Sequence, residues 1–194
     1  MRQNRERLLD AAAEVFLEDG YLASIDKIIS RAGVVRQTLY NHFSGKDELF
    51  AEVIRRVSND VVVSLEGDPK NVRAALIQFG LSLRQVALSP RGICMFRVLV
   101  TEAPRFETLA RTAYETGPGH TLKHLAKFLS AAMASGHLRR DDAEFAGSML
   151  IAMLVSHERT WHLFHTHKPQ TGKRHKIEQI VDCFLRAFAA SLPE

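Results

Sequence analysis

Between Arg36 and Lys46 the chain reads Arg-Gln-Thr-Leu-Tyr-Asn-His-Phe-Ser-Gly-Lys, a run that interleaves hydrogen-bonding and apolar side chains. On a helix starting near Arg36, the side chains of Arg36, Gln37, Tyr40 and Asn41 share one broad face, while Leu39 and Phe43 align at i, i+4 toward a core. The chemistry this offers is recognition of nucleic acid. Arg, Gln and Asn make paired hydrogen bonds with base edges in a major groove, and Thr38, Tyr40 and His42 reach phosphates. Lys46, near the start of the next helix, meets a further phosphate beside open backbone amides. Taken alone, such a face is equally well an ordinary solvated one, so the elements around it decide.

Those elements read as helices throughout. Apolar residues recur at helical spacing and no run alternates with period two, which predicts an all-α fold. Leu8, Leu9, Ala12, Val15 and Phe16 form the stripe of a first helix that Gly20 ends. Ser24 caps a second, with Asp26 in its first turn and Ile25, Ile28, Ile29 and Ala32 on its buried side. Gly33 then allows a turn of about three residues into the short polar helix. Ser44 and Asp47 make a Ser-x-x-Asp start for a fourth helix carrying Leu49, Phe50, Val53, Ile54 and Val57. Helix, glycine turn, short helix is the order a helix-turn-helix requires, because the second helix must be held rigidly in a groove. The expected division is a DNA-binding domain over 1–48, with the fourth helix linking it to a larger helical domain over 49–194.

Leu8-Leu9-Asp-Ala-Ala, Phe16, Gly20-Tyr21, Ser24, Ile28, Ala32-Gly33-Val34, Thr38 to Phe43, Lys46 and Leu49-Phe50 together resemble the tetracycline-repressor (TetR) family of bacterial regulators, without a gap from about Arg7 to Phe50. The resemblance implies that Arg36, Gln37, Thr38, Tyr40, Asn41, His42 and Lys46 stand where such regulators touch DNA. Val35 departs from the pattern, which commonly has a small hydroxyl residue there. The change either removes a cap worth about 1 kcal/mol or adds a contact to a thymine methyl. Residues 90–165 resemble an AefR-like C-terminal domain through Phe96-Arg97, Glu102 to Phe106 and Gly136-His137-Leu138. A repressor with two recognition helices about one DNA turn apart (~34–36 Å), released from palindromic operator DNA by a small molecule, is what the resemblance implies.

Further along, Glu66 to Pro69 breaks the fourth helix, and Asn71 caps a fifth that runs to about Ala87. Ser89-Pro90, Ala103-Pro104, Gly117-Pro118-Gly119, Gly136 and Pro169 to Gly172 punctuate the rest. A basic loop from His165 to Lys176 precedes a last helix over about Ile177 to Leu192. Met149, Met153, His157 and Trp161 follow at i, i+4, a stripe whose plainer reading is core or dimer contact. The sharper expectation makes it the wall of a pocket shared with Leu83, Phe96, Leu99, Tyr114, His124 and Phe128, taking a small hydrophobic or amphipathic effector. Ile177, Ile180, Val181, Phe184, Leu185 and Phe188 are the expected homodimer interface, since family members pair through their last two long helices.

Composition narrows the alternatives. The formal charge is +4, yet residues 1–60 hold nine Lys and Arg against ten Asp and Glu, so bulk charge does not locate a DNA site. Local clusters, Arg2 with Arg5 and Arg7, then Arg36 and Lys46, are the candidates instead. No signal-peptide core and no membrane-length apolar run is present, so a cytoplasmic protein is expected. Cys94 and Cys183 sit among apolar neighbours as buried thiols would, with a redox pair as the alternative. His157, His162, His165 and His167 have no nearby cysteine and no carboxylate at ligand spacing beyond Glu158 to complete a zinc or nickel site, and no metal or cofactor is expected. Phosphate loops, nucleophile elbows and metalloprotease motifs are missing, which argues against an enzyme. A DNA-binding dimer controlled by a partner, or architectural in role, is the remaining competitor.

Overall fold

Gly33 shows how sequence becomes turn in this molecule, a computed structural model that describes residues 2–65, 71–164 and 174–190. With φ 61° and ψ 42° it is left-handed, and the amides of Gly33 and Val34 return to the carbonyls of Ser30 and Ile29 at 3.1 Å each, closing the second helix. The described residues form ten α-helices and no strand: α1 Arg2–Asp19, α2 Ile25–Ala32, α3 Arg36–Tyr40, α4 Lys46–Val62, α5 Val72–Ala87, α6 Pro90–Glu102, α7 Glu107–Thr116, α8 Pro118–Ala134, α9 Ala143–Phe164 and α10 Arg174–Ala187. A 3-10 turn, Val63–Leu65, follows α4. Ser24 caps α2 by accepting from the Lys27 amide, and Asn71 caps α5 by accepting from Ala74. None of these helices is long and apolar enough to cross a membrane.

Two compact units result, one of Met1–Ser58 with Cys94–Gly117, the other of Asn59–Ile93 with Pro118–Glu194. The expected boundary between residues 48 and 49 therefore falls inside the first unit. The reason is apolar: Leu49, Phe50, Val53 and Ile54 from α4 and Leu109 and Ala113 from α7 are buried with the stripe of α1 in one core. At its centre Phe16 meets Phe50 edge-on at 4.9 Å between ring centroids, and Tyr21 meets both Phe50 and Phe106 at 5.3 Å. Burial of each such ring contributes roughly 2 kcal/mol or more.

The second unit packs α5, α8, α9 and α10 around Leu76, Phe79, Leu125, Leu129, Leu150 and Leu154. Gly80 lets α5 lie close to its neighbours, since a Cβ there would stand 2.8 Å from Ile177 and 3.1 Å from Leu154. Buried in the same unit, Arg84 donates to the Leu154 carbonyl and, at 2.6 Å, to Glu158, whose second oxygen lies 3.3 Å from Lys176. Burial works to raise the Glu158 pKa, but the hydrogen bond from Arg84 and the one from Lys176 carry it below the ordinary value. The Lys176 contact and an Arg174–Glu178 pair at 2.9 Å extend α10 three residues earlier than its expected start at Ile177. The break at 66–70 and the loop of 165–173 with His165 and His167 lie outside the described residues, while α10 ends at Ala187, short of the expected Leu192.

Candidate nucleic-acid interface

A helix of five residues has no stability of its own, so α3 exists because its neighbours hold it. Leu39, fully buried, and Phe43 anchor its inner side. The Asn41 amide donates to Gln37 at 3.0 Å and the Phe43 amide to Leu39 at 2.9 Å, carrying the helical path past Tyr40. Val35 stands at the N-cap position, 68% exposed, and contributes no side-chain cap, as its branched hydrocarbon dictates.

The outer side carries the polar groups. Arg36, Gln37, Tyr40 and Asn41 are exposed, while Thr38, His42 and Lys46 are half-buried. Gln37 Nε2 donates to Asn41 Oδ1 at 3.0 Å, joining two amides one helical turn apart. Across the Gly33 turn, Arg36 Nη2 donates to Asp26 Oδ1 at 2.5 Å, a contact that sequence reading missed because Asp26 served there only as a partner of the helix dipole. No spacing rule relates two residues on either side of a turn.

Lys46 is more constrained than an open phosphate ligand. Its ammonium lies 4.4 Å from the centroid of the Tyr21 ring and donates to the Ala23 carbonyl at 3.3 Å. Tyr21 in turn donates its hydroxyl to Asp47, and burial first, then that hydrogen bond, pushes the phenol well above its ordinary range. Asp47 is thus not the capping partner that the Ser-x-x-Asp spacing suggests. The helix starts at Lys46, so Glu48 is its third residue, and Glu48 Oε2 accepts from the Ser44 amide at 2.6 Å and hydroxyl at 2.7 Å. These two bonds lower the Glu48 pKa.

Two members of the N-terminal arginine cluster hold the first unit together. Arg5 is paired with Glu52 and lies over the Phe43 ring, and Arg7 donates to the Gly33 carbonyl at 3.2 Å. Between α1 and α2, Arg31 clasps Glu18 through two hydrogen bonds of 2.5 and 2.9 Å. With help from Lys27 they bring the Glu18 pKa from 4.5 to about 2.

The residues expected to line an effector pocket are drawn from both units. Phe96, Leu99 and Tyr114 belong to the first unit, the other seven to the second. Leu83 and Phe128 are core, while Met153, His157 and Tyr114 are exposed. Phe96, Leu99, His124, Met149 and Trp161 are half-buried. Leu99 does line a hollow with Tyr21, Phe50, Glu102 and Phe106, about 190 Å³ including open solvent, below the ~300 Å³ usual for a drug-sized ligand. On α10, Ile177, Val181 and Phe184 are buried in their own unit, as is Phe188 just beyond it, so only Ile180 and Leu185 of the expected dimer set are partly open. Cys183 is exposed, contrary to the expected buried thiol, and Cys94 is half-buried. Among the described residues no cluster suited to a metal ion occurs.

Comparison with known proteins gives two profile matches: bacterial regulatory proteins of the tetR family over residues 8–53, and the C-terminal domain of AefR-like transcriptional repressors over residues 74–190. The HTH-type transcriptional activator FasR of Mycolicibacterium smegmatis is 46% identical over 61 residues, 31% of this chain and 28% of that protein. The uncharacterized HTH-type regulator TtgW of Pseudomonas putida is 43% identical over 54 residues, 27% of this chain and 40% of its own length. The chain thus covers less than half the length of these curated relatives. The solved structure of the flavonoid-responsive regulator FrrA superposes with a TM-score of 0.74 at 28% identity, covering 97% of this chain and 96% of that one. A TetR regulator from Agrobacterium tumefaciens, 22% identical with 97% and 96% covered, shares the fold at a TM-score of 0.79.

Proposed function

The chain belongs to the tetR family of bacterial regulatory proteins, transcription regulators rather than enzymes, and from that premise we propose that it is a ligand-responsive repressor of palindromic operator DNA. The observation that carries the reading is α3: Leu39 and Phe43 lock its inner side while Arg36, Gln37, Tyr40 and Asn41 point away from the core. Family members bind operator DNA as dimers, and two such helices one turn apart (~34–36 Å) match two half-sites. Thr38 and His42 lie beside this face for phosphate contacts, and Lys46 keeps donors for one.

Dimerisation engages the outward faces of α9 and α10, through Met153 and His157 with Ile180 and Leu185, leaving Ile177, Val181, Phe184 and Phe188 to their own core. The effector is a small hydrophobic or amphipathic molecule, as the match to AefR-like repressors and the flavonoid response named for FrrA suggest. Half-buried His124, Met149 and Trp161 are its candidate contacts in the second unit. To release DNA the effector must bind the DNA-incompetent form more tightly, because equal affinity shifts nothing.

The experiment is operator selection with purified protein, followed by titration against flavonoids and medium-chain fatty acids. Tyr40→Ala weakens operator binding about tenfold while the dimer persists. Unchanged operator affinity at saturating concentrations of every binding compound rejects induction. It leaves the competing reading, a dimer without small-molecule control, which the core positions of Leu83 and Phe128 favour.

A further inference from the structure

We propose that Asp26 determines specificity at the nucleic-acid interface, holding and neutralising the Arg36 guanidinium so that it reads base edges instead of wandering among phosphates. The inference rests on α3 being the groove-facing helix. Asp26 Oδ1 and Arg36 Nη2 are 2.5 Å apart across the turn, and their side chains are 68% and 54% exposed. An ion pair so open to water adds little to folding stability, so its consequence lies in what it does to Arg36.

An uncompensated arginine on this face is drawn to any phosphate, with no regard to sequence. With a carboxylate beside it, the group carries almost no net charge toward the DNA backbone, and its rotamers are restricted. Bidentate hydrogen bonding to a guanine edge stays open, because the bond to Asp26 occupies only one of five guanidinium donors. Asp26 is itself well placed to hold still, in the first turn of a helix whose N-terminus is capped by Ser24. The bond joining Gln37 to Asn41 restrains the adjacent readers in the same manner. The three base-edge readers, Arg36, Gln37 and Asn41, are therefore oriented before DNA arrives, which lowers the ordering cost of a specific complex.

Binding of the full chain and its Asp26→Asn, Asp26→Glu and Arg36→Met variants tests this, with Asp26→Asn also made in the Arg36→Met background. The probes are a duplex selected by the wild-type chain from a random library and a shuffled duplex of equal composition. Asp26→Asn is expected to lower the selected-to-shuffled affinity ratio about tenfold. It also steepens the salt dependence on the shuffled duplex by about one in slope, as Arg36 gains a phosphate. Asp26→Glu keeps the shallow slope. In the Arg36→Met background, Asp26→Asn changes neither quantity. An unchanged ratio and slope overturn the proposal, as does an equal change with or without Arg36, which would reflect only the loss of a negative charge near DNA. A slope as steep for Asp26→Glu as for Asp26→Asn overturns it too. Failure of the wild-type chain to select any duplex overturns the reading of α3 instead.

Discussion

Both units keep ion pairs at their surfaces, but among the described residues only the second also encloses one in its core. The first keeps ion pairs at its surface and uses them to tie helix to helix: Arg31 to Glu18, Arg36 to Asp26, Arg56 to Glu6 and Asp10. In the second, Arg84 and Glu158 have side chains only 4% and 8% exposed, inside a core of long helices. The difference teaches what each arrangement is good for. Surface pairs in water orient side chains and contribute little stability, which suits a face that must exchange partners with DNA. A buried pair does not exchange, and losing one member leaves a charge with nowhere to go.

The sharpest way to break this contrast is Glu158→Ala, which strands the Arg84 guanidinium. It should lower stability in urea unfolding by about 3–5 kcal/mol, and replacing both residues by Met and Leu should recover most of that. A loss under 1 kcal/mol would place the pair with the surface ones. Next in size, Val35→Ser restores a hydroxyl at the N-cap of α3 and should add about 1 kcal/mol, read as a rise in thermal midpoint. If instead operator affinity falls while stability is unmoved, Val35 makes a base contact.

The smallest effect concerns acid. The Glu18 carboxyl is held near 2 in the fold against 4.5 ordinarily, so its ionised form is the one the fold favours. Its stabilisation is complete above about pH 4.5 and is lost as pH falls toward 2. Glu18→Gln should flatten that part of the stability-pH profile, and added salt should do the same because the pair is exposed. A profile identical to that of the wild type would mean that the α1–α2 clasp does not persist in water.

Much of the local structure is legible in the order of the residues. The stripe of α1, the Ser24 and Asn71 caps, the left-handed Gly33 and the end of α5 at Ala87 all follow from interactions a few residues long. The Ser44 cap shows where that reach ends: a one-residue shift in helix start exchanged Asp47 for Glu48, and Tyr21, distant in sequence, took Asp47. Arg5 and Arg7 look like DNA ligands because a run of arginines does not reveal that Glu52 and Gly33 lie beside it. On α10 the apolar stripe is wide enough for two partners, and period alone does not say which residues meet their own core.

The sequence by itself determined the all-helical character, the turn at Gly33 and which residues of α3 face outward, since periodicity and capping act through neighbouring backbone groups. Only the tertiary structure decided the pairing of Asp26 with Arg36, the stacking of Lys46 on Tyr21, the inward turn of Ile177 and Phe184 and the exposure of Cys183. Each of these depends on which helix packs against which, and packing joins residues whose separation along the chain carries no trace of the contact.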